Sequence, residues 1–198
     1  LSYINDSSPP QTPVLTHTTP ESPSTTSTTP TVYGETEPEI TVNLYILDGC
    51  LLDPIATTTA DADGGFSFVV TVPDNAITTF YANSVDEIGN ISLCSEGLGF
   101  LHDDEVPEAP LLTGTDPESP GQDGTPEVLG ESEPEILVAL FTTANCSGEP
   151  IGEGISDEIG TFAVEASTSN DNDTITYYAH VVDGAGNTSP CSEGLAYI

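Results

Sequence analysis

The chain has 198 residues, of which 33 are Asp or Glu and none is Lys or Arg, so its formal charge is −33 at neutral pH. A surface of one negative sign repels phosphate, which excludes nucleic acid and anionic membranes as natural partners. Apolar residues make up only 36% and form no run long enough to span a bilayer, so no membrane insertion is expected, and with no initiator Met or signal peptide the chain reads as a mature or excised segment.

In chain order, Leu1-Ser2-Tyr3-Ile4 reads as the last strand of a preceding repeat, because the same pattern returns in Leu98-Gly99-Phe100-Leu101 and Leu195-Ala196-Tyr197-Ile198. A polar linker from Asn5 to Pro10, matched by His102 to Pro107, leads to a first strand at Pro13-Val14-Leu15-Thr16, with Pro confined to its start. Thr18 to Pro30 is dense in Thr, Ser and Pro and has two readings, a mucin-like glycosylated tract or a loop within the domain. The second repeat keeps Pro-Glu-Ser-Pro at the same place, which favours the loop, with Thr25, Thr26, Thr28 and Thr29 as glycosylation candidates. A short strand, Thr31 to Glu35, and a turn at Glu37-Pro38-Glu39 precede Ile40-x-Val42-x-Leu44, whose strict alternation predicts a strand with one buried face running to Cys50. Asp61 to Gly65 turns the chain into Phe66-x-Phe68-x-Val70. Then Phe80, Ala82 and Ser84 share a strand face, Asp86-x-x-Gly89-Asn90 reverses the chain, and a last strand is expected to carry Cys94 and end at Leu98-x-Phe100.

All of this happens twice. Phe80 to Leu101 matches Tyr177 to Ile198 at a separation of 97, pairing Asp86 with Asp183, Asn90 with Asn187 and Cys94 with Cys191. A period that long is a repeated small domain and not a solenoid unit. The expected division is 1–4 as the end of a preceding repeat, 5–101 as the first repeat and 102–198 as the second. About seven short strands per repeat, turn signals at sandwich spacing and no helical pattern predict an all-β chain of two tandem immunoglobulin-like β-sandwiches. The four Cys fall as one pair per repeat, Cys50 with Cys94 and Cys146 with Cys191. Separations of 44 and 45 do not suit zinc and read as one disulfide per domain, the alternative being two free buried thiols. Such disulfides belong to an oxidising compartment, so the protein is expected to be secreted, extracellular or at the cell surface.

The frame T-P-x-V-x-G-E, alternating strand, Cys, G-x-F, then F-Y-A-x-x-x-D-x-x-G-N-x-S-x-C-S resembles the bacterial immunoglobulin-like (Big-type) repeats of secreted and cell-surface proteins, across essentially the whole chain. The resemblance implies spacer, stalk or adhesin modules, some of which bind calcium at turns and linkers.

For calcium the sequence offers Asp86/Glu87/Asn90, Asp183/Asn187, Asp61/Asp63, Asp157/Glu158 and the linker acids Asp103/Asp104/Glu105. Calcium takes six to eight hard oxygen ligands and tolerates irregular geometry, although Asp and Asn also suit turns for backbone reasons alone. Asp86, Asn90, Asp183, Asn187, Asp103 and Asp104 stand as the metal candidates, with His102 beside the last two. No other cofactor is required. His17, His102 and His180 have no matched His in the other repeat and no Ser/His/acid arrangement is present, so no enzyme is expected. Sequons at Asn5, Asn90, Asn145, Asn172 and Asn187 matter only in a eukaryotic secretory route.

The expected function is therefore a structural extracellular module of a stalk, fibre or surface layer. An adhesin segment binding glycan or protein through loops, or accessory domains of a larger secreted enzyme, are the alternatives. Expected partners are neighbouring copies of the repeat and divalent cations. Leu1, Tyr3 and Ile4 are expected to pack on a neighbouring copy, in a covalent array or by exchange of a terminal strand.

Overall fold

A computed structural model describes residues 7–121, 123–166 and 174–198, so the contacts expected of Leu1, Tyr3 and Ile4, and the Asn5 and Asn172 sequons, lie outside the described residues. The chain divides into two compact units, Leu1–Asp104 and Glu105–Ile198. No helix occurs among the described residues.

The first unit has seven strands: β1 (Val14–Thr19), β2 (Thr31–Glu35), β3 (Thr41–Tyr45), β4 (Ala56–Thr59), β5 (Gly65–Val69), β6 (Ala76–Val85) and β7 (Leu98–His102). They form two antiparallel sheets, β1-β2-β5 and β4-β3-β6-β7. The second unit repeats them as β8 (Leu111–Asp116), β9 (Glu127–Glu131), β10 (Leu137–Phe141), β11 (Gly152–Ile155), β12 (Thr161–Glu165), β13 (Ile175–Val182) and β14 (Leu195–Tyr197). Their orders are β12-β9-β8 and β11-β10-β13-β14. This is the immunoglobulin-like sandwich. The fourth strand joins the four-stranded sheet, unlike the antibody constant-type arrangement, in which it lies on the opposite one.

The alternation read from the sequence builds the core. In the first unit Val32, Phe66 and Phe68 from one sheet meet Val42, Leu44, Phe80, Ala82 and Phe100 from the other. The second core has Val128, Phe162 and Val164 against Val138, Leu140, Tyr177, Ala179, Val181 and Tyr197. Each of these side chains is excluded from water, at about 25 cal/mol for every Å² of apolar surface buried.

The glycine of the G-E pair has a packing reason. Gly34 stands opposite Phe66 across the β2–β5 pairing, and a Cβ there would come within 2.3 Å of the ring and 2.6 Å of the Val14 carbonyl oxygen. Gly130 meets Phe162 and the Leu111 carbonyl at the same distances. The aromatic ring lies over the glycine and covers a site where no side chain fits.

Two expectations are corrected in detail, and a strand that the reading in chain order did not place is located. β3 ends at Tyr45 and a turn separates it from Cys50. β4 and β11, Ala-Thr-Thr-Thr and Gly-Glu-Gly-Ile, complete the expected seven strands at the edge of their sheets. Cys94 lies before β7, in an irregular segment, because side chains replace the ladder there.

The Thr/Pro-rich stretch is a loop tied down within its unit. β1 extends through Thr19, and beyond it Ser24 is buried, donating its N–H to Leu101 O (2.9 Å) and accepting at its carbonyl from Asp103 N (3.0 Å). Ser22 Oγ accepts from Leu101 N at 2.9 Å, and Ser119 Oγ accepts from Ile198 N at 3.0 Å, which explains why both repeats keep Pro-Glu-Ser-Pro.

Candidate functional site

The chemistry-bearing side chains common to both units gather where β6 and β13 leave their sheets. Cys50 is bonded to Cys94 and Cys146 to Cys191. All four are half-exposed. Each bond joins the turn after the third strand to the segment after the sixth, and those two strands are already neighbours in one sheet. The disulfide therefore staples one sheet at its end, whereas an antibody domain links its two sheets through the core.

On either side of the second Cys stands a serine whose role the sequence alone did not reveal. Ser95 Oγ accepts from Ala82 N at 2.9 Å and donates to Glu96 O at 2.8 Å. Ser92 Oγ accepts from Ser84 N at 2.9 Å and donates to Leu93 O at 2.8 Å. The backbone closes the same pairs, Ser95 N to Ala82 O and Ser92 N to Ser84 O. Ser192 and Ser189 do the same for Ala179 and Val181. The S-x-C-S motif is thus a clamp in which two hydroxyls stand in for a strand's carbonyls. The residue between Ser and Cys needs no N–H in this arrangement, so Pro190 can replace Leu93. Replacing Ser95 by Ala leaves the buried Ala82 N–H without its partner, so a urea midpoint equivalent to a loss of about 1–3 kcal/mol is expected. A loss below about 0.5 kcal/mol, within the range of an ordinary surface change, would mean that water replaces the hydroxyl.

Asp86 and Asn90 come together, as do Asp183 and Asn187, at the reversal where Gly89 and Gly186 take φ of 92° and 93°. Asp86 Oδ1 accepts from Ile88 N (3.0 Å) and Asn90 N (2.8 Å), and Oδ2 accepts from Asn90 Nδ2 (2.7 Å). Asp183 accepts in the same way from Ala185 N, Asn187 N and Asn187 Nδ2 at 2.8–2.9 Å. Partial desolvation pushes both carboxyls up, but these hydrogen bonds outweigh it and hold each below its ordinary value. Asp157 is also held low, first by the Thr161 hydroxyl and then by the Thr161 backbone N–H. Asp61 closes the matching turn by accepting from Asp63 N and Gly65 N.

Asp103 and Asp104 follow β7, whose His102 pairs with Ala76 at the start of β6. Asp86 follows the other end of that ten-residue strand, so the two candidate groups lie roughly 30 Å apart along it. His102 is buried, with Nδ1 3.8 Å from Asp74 Oδ1, and Asp104 N donates to Asn75 Oδ1. Among the described residues no three His, Cys, Asp or Glu side chains gather as a metal-ligating group. His180 sits on β13 opposite Ala139, with its ring 4.8 Å from Phe141, and burial pushes its pKa down. Of the glycosylation candidates, Thr26 and Thr29 are exposed and Thr25 and Thr28 half-buried.

No family model matches the chain, and no curated protein matches it. Solved structures similar to it include the human OSCAR ligand-binding domain, at 16% identity and a TM-score of 0.48, covering 95% of this chain and 99% of that one. A tetra-tandem repeat from the extending region of a large adhesion protein aligns at 18% identity and a TM-score of 0.37, covering 86% of this chain and 45% of that one. The BSP domain of a biofilm-associated protein aligns at 17% identity and a TM-score of 0.35, covering 88% of this chain and 28% of that one. This chain therefore spans less than half the length of the adhesion and biofilm structures, and its fold assignment rests on its own sheets and cores.

Proposed function

We propose that the chain is a non-enzymatic, extracellular structural module, a pair of load-bearing sandwiches in a stalk, fibre or surface layer. The observation that carries this reading is the duplicated staple. In both units a disulfide and two clamping serines lock the exit of the longest strand, and the acids at the adjoining reversal are spent on backbone N–H groups. Disulfides of this kind persist in oxidising compartments, which supports a secreted or cell-surface location. Neighbouring copies of the same sandwich are the proposed partners. Divalent cations, calcium foremost, are the proposed counter-ions of its acids, with Asp86, Asn90, Asp183, Asn187, Asp103 and Asp104 as the places where they would settle.

Single-molecule pulling of the whole chain tests the mechanical role. Two discrete unfolding events are expected, each releasing only the residues outside the disulfide loop. Under a reductant each event should lengthen by the 44 or 45 residues the bond encloses, about 150 Å of extended chain. A chain that extends without resolvable force peaks carries no load, and the proposal then fails.

One observation favours the adhesin alternative: an aromatic pair, exposed His17 stacked on half-buried Tyr33, on a sheet face of the first unit.

A further inference from the structure

The outer face of the β1-β2-β5 sheet carries a row of side chains that the second unit lacks. A bulge in β1 makes it. The register passes from Leu15 opposite Gly34 to His17 opposite Tyr33, so Thr16 is the extra residue and both Thr16 and His17 face solvent. His17 and Tyr33 then stack, with ring centroids 4.6 Å apart and planes within 5° of parallel. Thr16 Oγ1 holds the pair, 3.0 Å from His17 Nδ1 and donating to Tyr33 O at 3.3 Å. On the far side of Tyr33, across the β2–β5 pairing, stands the exposed Ser67. A groove of about 460 Å³ runs over this row, bordered also by Thr58, Glu35 and Asp61.

The second unit shows that the fold does not need these residues. It keeps the bulge, between Leu112 and Gly114, but its row reads Gly114, Leu129, Ala163. Both aromatic rings and the hydroxyl are gone while strands, register and core persist.

We propose that the His17–Tyr33–Ser67 row binds an uncharged pyranose saccharide. A pyranose has a face of C–H groups and a rim of hydroxyls. The imidazole takes one face of the Tyr33 ring, and the sugar's apolar side would lie on the ring's other side, toward the small, exposed Ser67. Ser67 and Thr58 offer hydroxyls that both donate and accept, and Glu35 and Asp61 offer carboxylate oxygens that accept from sugar hydroxyls. The net charge of −33 repels sialylated or uronic saccharides and leaves neutral ones. This ligand is additional to the structural role and does not depend on it.

The test is an NMR titration of the isotopically labelled full chain with maltohexaose, cellohexaose, mannohexaose and N-acetylchitohexaose, and with sialyllactose as the anionic comparison. A single ring platform supports a Kd of about 1 mM. At least one neutral oligomer should shift the His17 and Tyr33 ring resonances and the Ser67 amide, leaving Leu129 unmoved. Tyr33→Ala should weaken binding at least tenfold, roughly one stacked ring's worth, and Tyr33→Phe should retain it. Because Tyr33→Ala removes a cross-strand pair, Ser67→Trp serves as a second variant, filling the groove while the stacked pair stays. No shift at the row with any of the four neutral oligomers overturns the proposal. So does binding that survives both Tyr33→Ala and Ser67→Trp, or sialyllactose binding more tightly than the neutral oligomers.

Discussion

Replacing Cys50 and Cys94 together by Ser should lower the stability of the first unit by about 4 kcal/mol, the chain-entropy value for a closed loop of 44 residues. The magnitude is that of the unfolded chain, because the folded unit loses little. The bond sits at the end of one sheet, half-exposed, between strands that pair through five residues each, and neither Cys belongs to the core cluster. Sheet content and core packing should therefore survive while the urea midpoint falls and the slope steepens, since the unlinked chain exposes more surface on unfolding. A domain of this size starts with about 5–15 kcal/mol, so the variant should remain folded but close to its limit. The Cys146–Cys191 bond encloses 45 residues and should have the same value in the second unit. Because all four Cys are half-exposed, a reductant acting on the native protein should open both bonds and lower both units by this amount. Were the reduced chain to lose its sheet signal outright, the staple would be holding native structure and not merely limiting the unfolded ensemble.

What was legible in the sequence follows from which physical signals have a period. Ile40, Val42 and Leu44 alternate because one sheet face is buried, and they occupy that face. The Asp86 to Asn90 reversal was readable because a left-handed residue favours Gly, and Gly89 is one. β4 and β11 were not readable. They are edge strands with half-exposed and exposed positions, so Ala-Thr-Thr-Thr and Gly-Glu-Gly-Ile carry no apolar alternation. The start of the last strand was misread at Cys94 because Ser92 and Ser95 satisfy the β6 backbone by hydroxyls, a pairing without strand geometry. Spacing placed Asp86 beside Asn90 but could not tell whether the carboxylate faces outward or toward N–H groups. The His17–Tyr33 pair was hidden for a different reason: the two stand sixteen positions apart in the chain, and only the bulge at Thr16 brings them into register.

The melting temperature should rise by roughly 15–20 °C between ~10 mM and ~1 M NaCl at neutral pH, equivalent to about 3 kcal/mol for domains of this size. The chain has 33 acids and no Lys or Arg, so every long-range interaction between ionised side chains is repulsive. Two such charges at ~15 Å in water cost about 0.3 kcal/mol, and each unit holds on the order of a hundred such pairs. Unfolding spreads them, so the repulsion weighs on the folded state; shrinking the Debye length from about 30 Å to about 3 Å removes most of it. Calcium replacing sodium at fixed ionic strength should add a further rise, because one ion neutralises two carboxylates from a single position. The pH dependence has two opposing parts. Lowering pH from neutral toward the carboxylate range removes charge from the compact state and should raise stability. Asp86, Asp157 and Asp183 act in the other direction. Their folded pKa values lie below the ordinary carboxylate range, so the stability they confer is full above the unfolded carboxylate pKa and is lost as pH falls through the folded values. Stability should accordingly peak at mildly acidic pH and decline below the peak, with the NaCl effect shrinking steadily as pH falls. The Asp183→Asn variant, which keeps the turn's shape but has one oxygen fewer, should lose part of the low-pH decline while leaving the rise from neutral pH unchanged. A melting temperature insensitive to NaCl at neutral pH would mean that the acids are already neutralised by bound ions, and removal of divalent cations with a chelator should then restore the salt dependence.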